Sequence, residues 1–193
     1  LFIPDYRLSW IQTGYLTAEI VSIPLTGILT SALTLRWMFA AATLGFTVLS
    51  ALCAMSTGAD CLISLRVAQG FFGGMLIPAV FTSAFILIDE KHRALATTLA
   101  GVCAMVAPAV GPIVGGYIAE TYSWRWIFLI NVPLGFCIVA AVIGFVRHGS
   151  PDVAVLRRID LGTMLLVALF LATLEIALTR SEEHTSELQS HHD

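Results

Sequence analysis

The chain has 193 residues, 58% of them hydrophobic and 12% charged, with a mean hydropathy of +0.88. Soluble domains carry about 25% charged residues, and one core of this size has no room for so much apolar surface, so a water-soluble globular domain is excluded and a bilayer is the implied solvent. The net charge of −3 arises at the end of the chain: removing Arg180 and the four acids beyond it leaves 9 basic against 9 acidic residues, and no basic run suits nucleic acid.

Apolar runs long enough to cross about 30 Å of hydrocarbon follow one another along the chain. The first, near Leu8–Ser31, carries Gln12, Tyr15, Glu19, Ser22 and Thr26 at steps of three and four, which is one helical face. Lipid satisfies no polar stripe, so this face must meet protein or water. The second run is Leu35–Ser56. The third, Cys61–Ile88, has a similar stripe of Arg66, Gln69, Gly70 and Gly73. The fourth, Ala94–Ala119, has a seam of small residues at Gly101, Ala104, Pro108, Gly111 and Gly115, beside Pro112 and Gly116. Such a seam lets another backbone approach closely, and the prolines remove backbone donors and bend the helix. Gly111 and Gly115 are expected to lie against another helix. The fifth run is Arg125–Val146 and the sixth Leu161–Leu178, with Glu175 about three residues from its end, within reach of the interface.

The connections carry the charges. Arg36, Lys91, Arg93, Arg147, Arg157 and Arg158 fall on one side of the alternation, and Arg7 and Arg125 on the other. The Lys/Arg excess assigns the first side to the cytoplasm. Cys53, Cys61, Cys103 and Cys137 are scattered in apolar segments without metal-ligand spacing and read as small hydrophobes. No phosphate-binding loop, nucleophile elbow or His/Cys ligand set appears, so neither a cofactor nor a metal is expected, and no enzyme.

From Arg180 to Ser190 the chain turns abruptly polar and reads as one frame of a sequencing adapter, followed by His191, His192 and Asp193. Residues 180–193 are therefore set aside from the fold, and His184, His191 and His192 make no metal site. The parent protein is expected to continue past Leu178. The chain opens at Leu1-Phe-Ile-Pro-Asp5 without Met, which leads to the expectation of a missing first helix.

Three strings together resemble the major facilitator superfamily, in its fourteen-helix drug:proton antiporter branch. Leu65-Arg66-Val67-Ala68-Gln69-Gly70-Phe71-Phe72-Gly73-Gly74 is similar to the motif of the family's fourth helix. Gly101 through Gly111-Pro112-Ile113-Val114-Gly115-Gly116 resembles the antiporter motif of the fifth. Trp124-Arg125-Trp126-Ile127-Phe128-Leu129-Ile130-Asn131-Val132-Pro133 resembles the branch signature and is the most discriminating. Trp10 and Tyr15 match the start of the second helix, and Arg158-Ile159-Asp160-Leu161-Gly162 the entry to the seventh. The loop between the second and third helices is degenerate: Gly27, Leu29 and Arg36 match, but Ser31 stands at the family's Asp position and Thr34 at its second Gly.

The resemblance implies an all-α, polytopic transmembrane fold. Residues 1–147 would form a partial N-terminal bundle, family helices two to six, residues 148–160 a cytoplasmic loop, and 161–179 an additional helix. It implies a bacterial cytoplasmic membrane protein that exports drugs or other amphipathic small molecules against an inward flow of protons. The facing C-terminal half of the same protein would be its partner. A same-fold exporter of one metabolite and a non-transporting membrane scaffold or sensor stay open as alternatives. The residues expected to couple protons are Glu19, Arg66 and Gln69. Glu19 lies about eleven residues into its helix, roughly 16 Å deep, and Arg66 about 9 Å deep from the same side. A Glu so placed is too short to snorkel out, and Arg66 is expected to turn inward and contact it.

Overall fold

A backbone in hydrocarbon must satisfy its own N–H and C=O groups. This chain does so with helices alone among the residues that the computed structural model describes, 5–146, 162 and 166–178. The expected loop at 148–160, the start of the last helix at Leu161 and the tail from Arg180 lie outside the described residues.

The first helical run, α1, is Asp5–Met55, and at Thr34 its backbone turns to φ 71°, ψ 151°. That residue divides α1 into two arms, 5–33 (α1a) and 35–55 (α1b), at the break expected between Ser31 and Leu35. Then come α2 (Ala59–Leu87), α3 (Glu90–Thr121), α4 (Trp126–Leu129) and α5 (Asn131–Phe145), and a last apolar helix, α6 (Leu166–Leu178). The single helix expected over Arg125–Val146 is present as one span, Trp126–Phe145, whose hydrogen-bond ladder is interrupted at Ile130 while the backbone there stays α-helical. Pro133 explains the interruption: it has no N–H to donate to the carbonyl of Leu129 four residues earlier. Ile11–Met55, Ala59–Leu87, Glu90–Thr121 and Trp126–Phe145 are each long and apolar enough to cross a bilayer. With α1 counted as two arms, the shorter about 31 Å long, this makes a multi-pass membrane protein.

Side-chain contacts fix how the helices run. Along α1b and α2 the pairs Ser50–Gln69 and Phe46–Gly73 rise in one helix as they fall in the other, so the two are antiparallel. Along α1a and α2 the pairs Gly14–Val67, Tyr15–Gly70 and Glu19–Gly74 rise together, so these two are parallel. Helix α5 packs on α1b through Gly135 and Thr47. Met38, Ala42, Met75 and Ala79 form the apolar core between α1b and α2, flanked by Leu29 and Phe71.

The bundle is polar where a soluble protein is apolar. Ser22, Thr26, Thr43, Thr47 and Ser50 are fully or almost fully buried. Each hydroxyl bonds a carbonyl about one turn back in its own helix, Thr43 to Phe39 at 2.8 Å and Ser50 to Phe46 at 2.9 Å for example. Small hydroxyl residues let helices approach while meeting their own hydrogen-bond demand. Phe85, Met105, Ile113 and Phe145 point outward and are well exposed, as lipid-facing side chains do.

This packing also sorts the charges. Because α1b and α2 are antiparallel, Arg36 comes to the same end as Lys91 and Arg93. Arg125 goes to the other end, where its Nε donates to the carbonyl of Ala54 at 2.9 Å. The separation is the one that the Lys/Arg count requires.

Candidate functional site

The close approach of α1a to α2 rests on two glycines. A Cβ at Gly70 would run into the carbonyl of Tyr15, and one at Gly74 into the carbonyl of Glu19 and the hydroxyl of Ser22. With no side chain at either place, the Tyr15/Glu19 face lies directly on the Arg66/Gln69 face. The two stripes read from the sequence are thus brought together.

At the centre is Arg66. Its Nη1 donates to Oε1 of Gln69 at 2.8 Å, and its guanidinium carbon lies 4.0 Å from the centre of the Tyr15 ring and 5.8 Å from that of Phe128. Contacts of this kind hold a desolvated cation over an aromatic face. Gln69 is 1% exposed. Its Nε2 donates to Oγ of Ser50 at 2.6 Å, and the thiol of Cys53 makes a long approach to its Oε1 at 3.9 Å. Arg66 therefore turns into the bundle, as expected from its place in the stripe.

The direct contact expected between Arg66 and Glu19 is not formed. No ion pair within 4.0 Å joins them among the described residues. Register gives the reason. The backbone of Glu19 is level with Gly74, eight residues beyond Arg66 on α2, which is about 12 Å along the axis. The guanidinium reaches only as far as Tyr15, one turn before Glu19. The Tyr15 ring lies beside the cation, one turn from Glu19 on the same helix.

The other predicted residues lie elsewhere. Gly101, Gly111, Gly115 and Gly116 have no atom within 4 Å of a would-be Cβ. No residue of α3, Pro108 and Pro112 included, is buried. No atom comes near the seam's glycines among the described residues; within α1 to α5, α3 packs against α2 and α4.

In the branch signature, Arg125 binds Ala54 and lies 5.0 Å over Trp124, and Trp124 meets Phe128 edge-on. Asn131 reaches the carbonyl of Ile127 at 3.4 Å. Trp126 and Pro133 line a cleft of about 420 Å³ with Ile118 and Tyr122. In the loop motif, Leu29 joins the core, Ser31 bonds the carbonyl of Gly27 at 3.0 Å, and Arg36 is buried beside Trp37.

Ser50 and Cys53 were not picked out from the sequence. Thr43, Thr47 and Ser50 recur at steps of four and three, and that stripe was the available signal.

Comparison with known proteins identifies what the chain is similar to. The sequence profile described as the Major Facilitator Superfamily matches residues 4–181. The chain is 34% identical over 179 residues to the colistin resistance protein EmrB of Acinetobacter baumannii, covering 93% of this chain and 35% of that protein. It is 35% identical over 175 residues to the multidrug export protein EmrB of Escherichia coli K12, covering 91% and 34%. It is 34% identical over 176 residues to the fatty acid resistance protein FarB of Neisseria gonorrhoeae, again covering 91% and 34%. The chain spans about one third of the length of these relatives.

Proposed function

The chain belongs to the Major Facilitator Superfamily, and from that premise we propose that it forms most of the N-terminal half of a proton-coupled exporter of amphipathic small molecules. Its place would be the bacterial cytoplasmic membrane, and its partner the C-terminal half of the same protein, rocking against it around a central site. It would move its substrate unchanged and perform no enzymatic step. Relatives named for colistin resistance, multidrug export and fatty acid resistance support an amphipathic substrate class rather than one metabolite.

The observation that carries the reading is Arg66, a cation inside a spanning helix that is held inward by Gln69 and Tyr15 near a membrane carboxylate. Intramembrane charges are costly and are retained where they work. With its proton off, Glu19 attracts Arg66; with its proton on, that attraction is lost. The guanidinium reaches the level of Tyr15, so the charges lie roughly 6–12 Å apart, and at an effective dielectric of about 20 the difference is on the order of 1–3 kcal/mol. That biases a two-state equilibrium by roughly ten- to a hundredfold. Tyr15 lies between the two along α1a and would transmit the change.

The test uses the complete protein in proteoliposomes with an imposed proton gradient and ethidium, an amphipathic cation, as the probe. Wild type should move ethidium with a pH-dependent rate. Glu19→Gln should fold but lose that dependence, and Arg66→Ala should shift it. Unchanged proton-driven movement in Glu19→Gln would remove Glu19 from the mechanism.

A further inference from the structure

The hydrogen bonds around Arg66 have a direction. Ser50 is completely buried, and its hydroxyl hydrogen is committed to the carbonyl of Phe46 at 2.9 Å. Only its lone pairs face Gln69. The Gln69 amide must then present its NH₂ to Ser50, at 2.6 Å, which aims its carbonyl oxygen at the Arg66 guanidinium, at 2.8 Å. The chain of donors runs Arg66 to Gln69 to Ser50 to the Phe46 carbonyl. It crosses from α2 to α1b and ends on a helix backbone, which cannot rotate.

From this we infer that Ser50 is a positioning residue: it fixes the rotation of the Gln69 amide and so holds Arg66 in its inward pose. The inference rests on the reading that Arg66 takes part in proton coupling. Ser50 itself acts on Arg66 only through Gln69. Without its oxygen, Gln69 would keep a buried NH₂ with no acceptor, an arrangement that native interiors avoid. Turning the amide over relieves that group but points NH₂ at the guanidinium, donor against donor, and Arg66 loses its acceptor. The ionisable groups facing Arg66 are Tyr15 and Glu19 from α1a and Cys53 from α1b, and α4 presents only the Phe128 ring. None of these side chains makes a hydrogen bond with Arg66 among the described residues, so Gln69 is the acceptor that sets its direction.

The experiment compares Ser50→Ala, Ser50→Thr and Arg66→Ala in the complete protein, measuring ethidium movement in proteoliposomes as a function of pH. Ser50→Ala should shift the midpoint in the same direction as Arg66→Ala, by about one pH unit, equivalent to tenfold. Ser50→Thr retains a hydroxyl able to bond the carbonyl one turn back, as Thr43 and Thr47 do on the same face, and should keep the wild-type midpoint. The double variant Ser50→Ala with Arg66→Ala should shift no further than Arg66→Ala alone. A wild-type midpoint in Ser50→Ala beside a shifted one in Arg66→Ala would overturn the role of Ser50 and leave the coupling role of Arg66 standing. An unshifted Arg66→Ala would overturn the coupling role instead. If Ser50→Ala does not fold, Ser50→Cys, similar in volume but a poor acceptor, replaces it in the same comparison.

Discussion

Replacing Thr34 by Gly should stabilise the protein, although no interaction is added. Thr34 holds φ 71° and ψ 151° between the two arms of α1, a region that side chains bearing a branched Cβ avoid. Holding such a residue there costs about 1–3 kcal/mol. Its buried hydroxyl also has no hydrogen-bond partner among the described residues. Glycine removes the steric cost and the orphan hydroxyl together. Against this stands the extra freedom of glycine in the unfolded chain, about 0.5–1 kcal/mol. The net expectation is a gain of about 1–2 kcal/mol. The assay is thermal unfolding of the full protein in detergent, where each kcal/mol moves the midpoint by roughly 2–4 °C for chains of 150–250 residues and by less in a longer one. Thr34→Ala separates the two contributions, since it removes the hydroxyl but keeps a Cβ in the unfavourable region. A midpoint for Thr34→Gly no higher than that of Thr34→Ala would refute the backbone argument.

Two further outcomes follow from the packing. Gly74→Ala should destabilise the bundle by about 1–3 kcal/mol, because its Cβ meets the Glu19 carbonyl and cannot be accommodated by a side-chain rotation; thermal unfolding checks this, and a neutral Gly74→Ala would mean that α1a stands off from α2. In intact cells, an impermeant thiol reagent in a background without the native cysteines should label Tyr122→Cys and spare Lys91→Cys, and the reverse pattern would invert the topology read from the charges.

Much of the fold was legible because a bilayer leaves so few options. Length and hydropathy located the crossings, and Thr34 broke α1 where the apolar run weakens. The polar stripes on 12–26 and 66–73 were legible as faces, and they do face each other. Depth alone could not show that Glu19 and Arg66 stay apart. Depth measures each residue from the membrane surface, whereas their separation depends on the register between α1a and α2, which Gly70 and Gly74 set. Ser50 was hidden for a related reason. A hydroxyl in an apolar helix commonly bonds its own backbone, and nothing local marks the one whose lone pairs also receive Gln69.

Two glycine stripes carried the same sequence signal and met different surroundings. Gly70, Gly73 and Gly74 are covered by Tyr15, Glu19 and Phe46, and a Cβ at any of them would touch α1. Gly101, Gly111 and Gly115 stand open on a helix with no buried residue. A small side chain contributes little where lipid is the neighbour, because lipid conforms to any surface. Its advantage appears only against a second rigid backbone. On that argument the open seam of α3, which carries Pro108 and Pro112, is the face from which a helix outside the described residues would have most to gain. Gly70 and Gly74 show how close such a helix would come: near enough that a single methyl group would separate the two backbones.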